Sequence, residues 1–251
     1  MGHRARRGLL VCGGRFHDFD FVRLRLLHLL AEDESVRMDV CPDWTGIAER
    51  LPFADFLVSY TCDVRPTEEQ ARALSEWVRD GHRWLALHAT NSALELGAEQ
   101  VSALPLPESF VDVLGSRFLS HPPIAPFTVT PTEPDHPLVS GVGELEVTDE
   151  LYLSELRPGI RPLLVTRWSG TTPRFADSDW TGDEPRPVAY LNDHGAGCVY
   201  YLTLGHARGH YDMQPEMDHW PTVDRGPWEE PGFQVLVRRG LDWVAERSGA
   251  A

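Results

Sequence analysis

Four histidines stand at positions where chemistry is often done, and imidazole suits both metal binding and proton transfer near neutral pH. His88 ends the apolar run at 84–87, His17 follows the first predicted strand, and His206 follows the last. His121 lies in a long loop. Ligands of doubly wound folds bind beyond the carboxyl ends of the strands. We therefore expect His17, His88 and His206 to share one sheet edge.

The chemistry of this histidine set depends on the carboxylates near it. Asp149 and Glu150 are the principal candidates, with Asp18 and Asp63 as further ones. Two or three histidines with one carboxylate suit zinc or another divalent transition metal. There is no HExxH motif, so metal-free acid–base catalysis stays open, as does a structural role for His88. Asp18 is either the N-cap of the first helix or a partner that orients His17.

A nucleophilic serine or cysteine would stand at a sharp strand-to-helix turn. The corresponding turn here reads ALHAT at 86–90, with His88 at its centre. Cys62 follows another predicted strand, but no histidine is near it in sequence. The cysteines show no CxxC spacing, which favours free thiols in a reducing cytoplasm; they are Cys12, Cys41, Cys62 and Cys198.

Alternating strands and helices in the first ninety residues predict a parallel sheet covered on both faces. Strands are predicted at 8–11, 36–41, 54–60 and 84–87, with helices from about 24 to 31 and from 67 to 80. Gly13 and Gly14 permit a tight turn with close backbone approach. They do not form a GxGxxG fingerprint, so we expect no nucleotide cofactor.

The second half of the chain is less regular. Strands are predicted at 127–130, 163–168, 187–192 and 198–204, the last two forming an antiparallel pair. Helices are predicted at 109–114 and 233–244, and a polar hairpin or loop at 169–183. The long segment 207–232 is a candidate lid, since loops of this length are usually functional.

Composition excludes several classes of protein. The chain has 251 residues, 42% of them hydrophobic, and a net charge of -15. It can form a real core, and its acidity argues against a nucleic-acid partner. No apolar run approaches membrane-spanning length, and the N-terminal run is too short for a signal peptide, so we expect a cytoplasmic protein.

Several short motifs, in this order and at these separations, give the sequence a resemblance to a known family. They are GGRFHD at 13–18, LHAT at 87–90, LG at 114–115 with Phe118, HP at 121–122, HPL at 136–138, DELY at 149–152, GH at 205–206 and GLDW at 240–243. The chain resembles the ThuA-like (trehalose utilisation) proteins of the class I glutamine amidotransferase-like superfamily. The resemblance implies one domain over 1–251, an α/β flavodoxin-like three-layer sandwich whose mostly parallel central sheet has an antiparallel extension.

The resemblance also explains the turn at His88. Glutamine amidotransferases carry their nucleophilic cysteine where this chain has His88, and their catalytic histidine where it has His206. The histidine is kept and the nucleophile is lost, so we expect no glutaminase activity. Ala86 stands where the family commonly has glycine, which makes the turn more crowded.

The family resemblance implies an enzyme of carbohydrate metabolism that acts on a sugar, keto-sugar or glycoside. We expect a divalent metal, with zinc first, on His17, His88, His121 and His206. The expected catalytic residues are His88, His206, Asp149, Glu150 and Tyr152. The expected substrate-binding residues are Arg15, Thr90, Asn91, Trp220 and Trp228.

Alternatives remain at this stage. The fold could serve as a non-catalytic sugar-binding module, or Cys62 could support an amidohydrolase. The aromatic residues of the late loop could pack that loop onto the sheet instead of stacking on a sugar. Compact α/β enzymes are commonly dimers, so a homodimer is the expected assembly.

Overall fold

The computed structural model describes residues 5–246. The strands are β1 (Arg6–Gly14), β2 (Val36–Cys41), β3 (Phe56–Cys62), β4 (Arg83–Leu87), β5 (Leu94–Leu96), β6 (Val101–Ala103), β7 (Ser116–Ser120), β8 (Ala125–Pro131), β9 (Leu145–Asp149), β10 (Leu153–Leu156), β11 (Arg161–Thr166), β12 (Gly170–Thr171), β13 (Asp179–Trp180), β14 (Arg186–His194) and β15 (Gly197–Leu202). The α-helices are α1 (Phe19–Leu30), α2 (Ile47–Arg50), α3 (Glu68–Arg79), α4 (Glu108–Leu114) and α5 (Pro231–Ala245). Short 3-10 helices span Leu51–Phe53, His88–Asn91 and Gly226–Glu229.

A nine-stranded sheet with the order β2-β1-β3-β4-β15-β14-β11-β8-β9 forms the centre of the fold. The strands from β2 to β15 in this order pair in parallel. From β15 onward β14, β11, β8 and β9 pair antiparallel. The predicted α/β class, with a parallel sheet and an antiparallel extension, is therefore confirmed. So is the predicted β14–β15 hairpin.

Helices cover both faces of this sheet, because successive residues of its strands point to opposite sides. Leu10 and Val58 pack in one core with α1 and α5, whereas their neighbours Leu9 and Leu57 pack in a second core with α2, α3 and α4. Strand β3 is buried along its whole length. This two-sided burial explains why the central strands β3 and β4 read as mostly apolar runs.

Polar side chains cap the starts of α1 and α3, and Asp18 has the N-cap role that was one of its two expected roles. Asp18 caps α1 by accepting a hydrogen bond from the Phe21 N–H, and Thr67 forms a capping box with Gln70. Gly14 has φ of +128°, and a Cβ there would lie 1.9 Å from the Cys62 carbonyl oxygen. The glycine turn predicted after the first strand is thus required by close contact with β3.

Three small sheets lie outside the central sheet. Only the one formed by β12 and β13 corresponds to a prediction, the polar hairpin or loop at 169–183. The three sheets pair β5 with β6, β7 with β10, and β12 with β13. Their strands have two to five residues, which is too short for a clear alternation in the sequence. Within residues 5–246, no helix has the length and apolar character needed to cross a membrane.

Candidate functional site

Three non-glycine residues with positive φ mark the carboxyl edge of the parallel sheet. They are Phe16 after β1 (φ 74°), Asp63 after β3 (φ 57°) and His88 after β4 (φ 46°). Side chains disfavour this backbone region, and such strain is concentrated at functional sites. All three lie at the edge where the sequence predicted chemistry.

Hydrogen bonds fix both the side chain and the backbone of His88. Its Nδ1 lies 2.9 Å from the Thr203 carbonyl oxygen, and its own carbonyl accepts a hydrogen bond of 2.6 Å from the Tyr201 hydroxyl. The Nδ1 atom therefore carries the proton, which leaves a lone pair on Nε2. The strained turn and these two contacts fix the direction of that lone pair.

The rings of His17 and His88 are in contact, with an interplanar angle of 76°. The two Nε2 atoms lie 2.9 Å apart, and His17 Nδ1 lies 3.3 Å from the Arg15 carbonyl oxygen. Burial, together with the neighbouring histidines His88 and His206, lowers the pKa of His17 to about 3 despite the opposing effect of Glu150. The His17 ring is therefore neutral at neutral pH.

Glu150 lies at the centre of the histidines. Its Oε1 is 3.2 Å from His206 Nδ1 and 3.2 Å from the Arg208 guanidinium, and its Oε2 is 3.5 Å from His88 Nε2 and 3.7 Å from His17 Nε2. Burial alone would raise the pKa of Glu150, but the surrounding histidines outweigh it and hold the pKa well below its usual range. The carboxylate is therefore ionised and is an oxygen donor among nitrogens.

His206 is fully buried, and its Nε2 atom has no hydrogen-bond partner within residues 5–246. Among the described residues, neither ring nitrogen has a hydrogen-bond partner of acceptable geometry, although Nδ1 approaches Glu150. Buried polar groups are nearly always paired, so the unpaired Nε2 atom points to a missing ligand. The ring therefore fits a metal ion better than a purely structural histidine.

Asp149 organises the site from beneath. Its carboxylate accepts hydrogen bonds from three backbone N–H groups: Glu150 (2.7 Å), Gly205 (2.7 Å) and His206 (3.1 Å). Burial raises the pKa of Asp149, and those donors together with His88 and His206 oppose that effect. Through the Glu150 and His206 N–H groups, Asp149 holds the backbone of both residues in place.

One candidate donor atom from each of His17, His88, Glu150 and His206 lies within 4.8 Å of all the others, and all four residues are buried. Three imidazoles and one carboxylate match the donor set of zinc and related divalent ions. The residues present therefore fit a metal ion. This set contains Glu150, one of the carboxylates expected near the histidines, and does not contain His121, whose role as a metal ligand stays a prediction.

His121 lies beside the cluster. Its Nδ1 is 2.8 Å from the Pro122 carbonyl oxygen, and its Nε2 is 3.9 Å from Glu150 Oε1. Burial lowers the pKa of His121. The hydroxyl of Tyr152 is 3.3 Å from His88 Nε2. Burial raises the pKa of Tyr152 well above the ordinary value. A neutral imidazole and a protonated phenol thus border the candidate metal ligands.

A cavity of about 450 Å³ opens above the cluster, and His17, His121, Glu150, Tyr152 and Arg208 line its floor. A cavity of this size is within the range of small-molecule sites. Of the four clustered residues, His17 and Glu150 line this cavity.

The five expected substrate-binding residues lie in different places. Trp220 lines the cavity and packs under the Arg208 guanidinium. Arg15 forms ion pairs with Asp63 and Glu216 and is not among the lining residues.

The other three expected residues are buried and do not line this cavity. The Thr90 hydroxyl donates to the Leu87 carbonyl, and the Asn91 amide donates to the Ser116 hydroxyl. The Trp228 indole donates to the Gly205 carbonyl. These side chains support the turns that carry His88 and His206.

The thiol of Cys62 lies in the cavity wall. Burial, followed by the charges of Glu150 and Asp63, raises its pKa well above the ordinary value. A thiolate is the nucleophilic form of cysteine, and this environment disfavours it. All four cysteines are free, as predicted.

Sequence reasoning missed Arg208. Its guanidinium donates to the Phe16 carbonyl (2.9 Å) and to Glu150 Oε1 (3.2 Å). It therefore joins the turn before His17 to the central carboxylate. Its place two residues after His206 was the available signal.

Taken together, the fold and the site define an α/β protein in which a histidine stands at the strand-to-helix turn and faces a buried glutamate. The family model for ThuA, described as trehalose utilisation, matches residues 14–221, and the chain belongs to this family. No curated protein matches the sequence.

Solved structures of the same fold include two ThuA-like proteins. One, from Parabacteroides merdae, has a TM-score of 0.61 and 17% identity over 98% of this chain and 93% of that chain. The other, from Bacteroides uniformis, has a TM-score of 0.64 and 14% identity over 97% and 94%. A cytoplasmic protein from Salmonella typhimurium is similar at a TM-score of 0.51 and 14% identity, over 96% of this chain and 100% of that chain. At these identities the similarity establishes the fold alone.

Proposed function

We propose that this protein is a metal-dependent enzyme that acts on a sugar, keto-sugar or glycoside. The observation that carries the proposal is the buried cluster of His17, His88, His206 and Glu150 beneath an open cavity, in which His206 Nε2 has no partner among the described residues. The family description, trehalose utilisation, supports a carbohydrate-related role. Zinc is the first metal to test.

The proposed chemistry divides between the metal and the side chains around it. A divalent ion in this cluster would polarise a carbonyl or hydroxyl oxygen of the substrate. Tyr152 would donate a hydrogen bond to a substrate oxygen. His121, whose Nδ1 proton is directed at Pro122, has Nε2 free to take a proton from the substrate. Arg208 and Asp149 would hold Glu150 in place.

A carbonyl group makes the neighbouring C–H acidic, so a positioned base and an electrophile suffice for isomerisation or elimination. The test is deuterium exchange into a 3-keto-glucoside, followed by NMR, with zinc-loaded and metal-stripped protein. We expect exchange or turnover only in the loaded protein. Tyr152→Phe should retain zinc and lower the rate about 100-fold, whereas Tyr211→Phe, at an exposed tyrosine, should not change it.

Binding of the keto-sugar without exchange or turnover would instead support the non-catalytic sugar-binding module. Loss of turnover on thiol alkylation of an otherwise folded, metal-free protein would support the Cys62-dependent hydrolase. We further propose a cytoplasmic location, in line with the free cysteines and with the Salmonella typhimurium neighbour, which is described as a cytoplasmic protein. The expected homodimer remains a prediction, which size-exclusion chromatography with light scattering would test.

A further inference from the structure

The cavity above the cluster is chemically divided. Its floor carries the ionisable and hydrogen-bonding groups, which include His121, Glu150 and Arg208. Its outer wall is mostly carbon and contains Leu94, Val101, Phe118, Ile124, Phe175 and Trp220. The two parts adjoin, since the ring centroid of Phe118 lies 4.6 Å from that of Tyr152 and the ring centroid of Phe175 lies 4.9 Å from that of His121.

Apart from the floor residues, the polar side chains that line the cavity are those of Ser92, Thr172 and Arg174. Pro123 and Pro173 have no backbone N–H to offer. The hydroxyl of Thr172 is buried and already donates to the Asp177 carbonyl, 3.2 Å away. Arg174 is exposed at the rim. Because Ser92 is buried and Arg174 is a single exposed residue, the outer wall offers few polar contacts to a second sugar ring.

This deficit weighs against a disaccharide that fills the cavity. Each hydroxyl that loses water and gains no partner costs about 1–3 kcal/mol. A second sugar ring would bring several such hydroxyls against carbon. An apolar group in the same position would instead gain free energy by leaving water.

The aromatic side chains give the wall a definite shape. Phe118 and Phe175 meet at 74° with ring centroids 5.9 Å apart, and His121 approaches Phe175 edge-on at 4.9 Å. Phe118 and Phe175 are buried, so their positions are fixed by packing. A flat ring could contact these faces while its substituent reached the floor.

We propose that the substrate is a glycoside with an apolar aryl or alkyl aglycone, whose sugar ring meets the cluster and whose aglycone contacts Phe118 and Phe175. This inference rests on the proposed carbohydrate function and specifies its substrate class. It excludes a plain disaccharide as the preferred ligand.

The test compares binding of phenyl glucoside, methyl glucoside and trehalose to zinc-loaded protein by calorimetry, with both anomers of each glucoside. The phenyl compound of one anomer should bind at least about tenfold tighter than its methyl counterpart and than trehalose. Phe175→Ala should remove this preference, and Phe175→Leu should weaken it if the alanine variant does not fold. Phe53→Ala, at an exposed phenylalanine outside the cavity, should leave it unchanged.

Equal affinity for phenyl and methyl glucosides, tighter binding of trehalose, or no binding of any of them would overturn the inference. The same titrations with metal-stripped protein separate this inference from the proposed function. An aryl preference that persists in a protein without zinc binding or turnover would uphold the cavity assignment and reject the metal enzyme. Zinc-dependent turnover with a preference for trehalose would support the metal enzyme and reject the cavity assignment.

Discussion

The Nε2 atoms of His17 and His88 lie 2.9 Å apart, while the Nδ1 atom of each ring is directed at a backbone carbonyl oxygen. Two lone pairs at this distance repel unless a proton or a cation lies between them. Glu150 Oε2 is within 3.7 Å of both nitrogens and adds a negative charge at the same point. The arrangement is therefore better suited to a bound cation than to an empty histidine pair.

Removal of one histidine should weaken metal binding strongly. Partners that only orient a ligand typically change affinity roughly 10- to 100-fold, and a direct ligand should exceed that range. We expect His17→Ala to lower zinc affinity by more than about 100-fold in calorimetric titration. His28→Ala, at an exposed histidine of α1, is the matched control. Equal zinc affinity of the two variants would contradict the assignment of His17.

Asp149→Asn should destabilise the protein and disturb the cluster. The amide retains one acceptor oxygen, and its NH₂ group would face a backbone N–H such as that of Gly205. The expected loss is about 3 kcal/mol of unfolding free energy in urea, with weaker zinc binding. Glu146→Gln, at an exposed glutamate of the same strand, should change neither quantity. A stable Asp149→Asn protein with normal zinc affinity would show that Asp149 does not position its neighbours.

A pair of glycines separates backbone strain from contact with the site. Gly226 has φ of +47°, and a Cβ there would lie 2.3 Å from the His206 carbonyl oxygen. Gly141 has φ of +72°, and a Cβ there would meet nothing within 4 Å. Gly141→Ala should cost about 1 kcal/mol of unfolding free energy and leave zinc binding intact.

Gly226→Ala should cost several times as much, on the order of 3 kcal/mol or more, because the His206 backbone must move. It should also weaken zinc binding. Urea unfolding and zinc titration of both variants give the comparison. Equal unfolding free energy and equal zinc affinity of the two alanine variants would show that close contact at Gly226 does not position His206.

His194 predicts one component of the pH dependence of stability. Its Nε2 lies 2.8 Å from the Ser75 hydroxyl. Burial and then the charge of Arg79 lower its pKa from 6.5, against an opposing effect of Asp112. The unfolded chain therefore binds a proton on His194 more readily than the folded chain does. The stability that comes from keeping His194 neutral in the folded chain is lost as pH falls below 6.5.

His194→Gln should remove that component. Between about pH 7.5 and about pH 5.5, the parent protein should lose more unfolding free energy than the variant. Urea denaturation at both pH values measures the difference. Parallel losses in the two proteins would mean that His194 does not titrate differently on folding.

The sheet edge of the site could be predicted because parallel strands bring their carboxyl ends together. The turns after β1, β4 and β15 carry His17, His88 and His206, and each follows a buried run that is readable in sequence. Strand β2 was predicted with its observed bounds, Val36–Cys41. Local pattern and the parallel rule were sufficient for these elements.

The position of Glu150 could not be derived in the same way. It follows β9, which lies at the far edge of the nine-stranded sheet, and the chain must fold back from there to reach the histidines. That path depends on the pairing of β7 with β10, whose short strands carry little sequence signal. The inward position of Trp228 depends likewise on tertiary contacts, with Phe21, Tyr60 and Phe233 as its aromatic neighbours.

The four candidate ligands come from turns distributed from the beginning to the end of the chain. An ion bound to all of them would act as a cross-link that closes very long loops, and it could form only after the central sheet has assembled. Its binding free energy would then stabilise the whole domain, by about 4 kcal/mol when the free metal exceeds its dissociation constant a thousandfold. For such a protein, the availability of metal would control how long the folded chain survives as well as what it does.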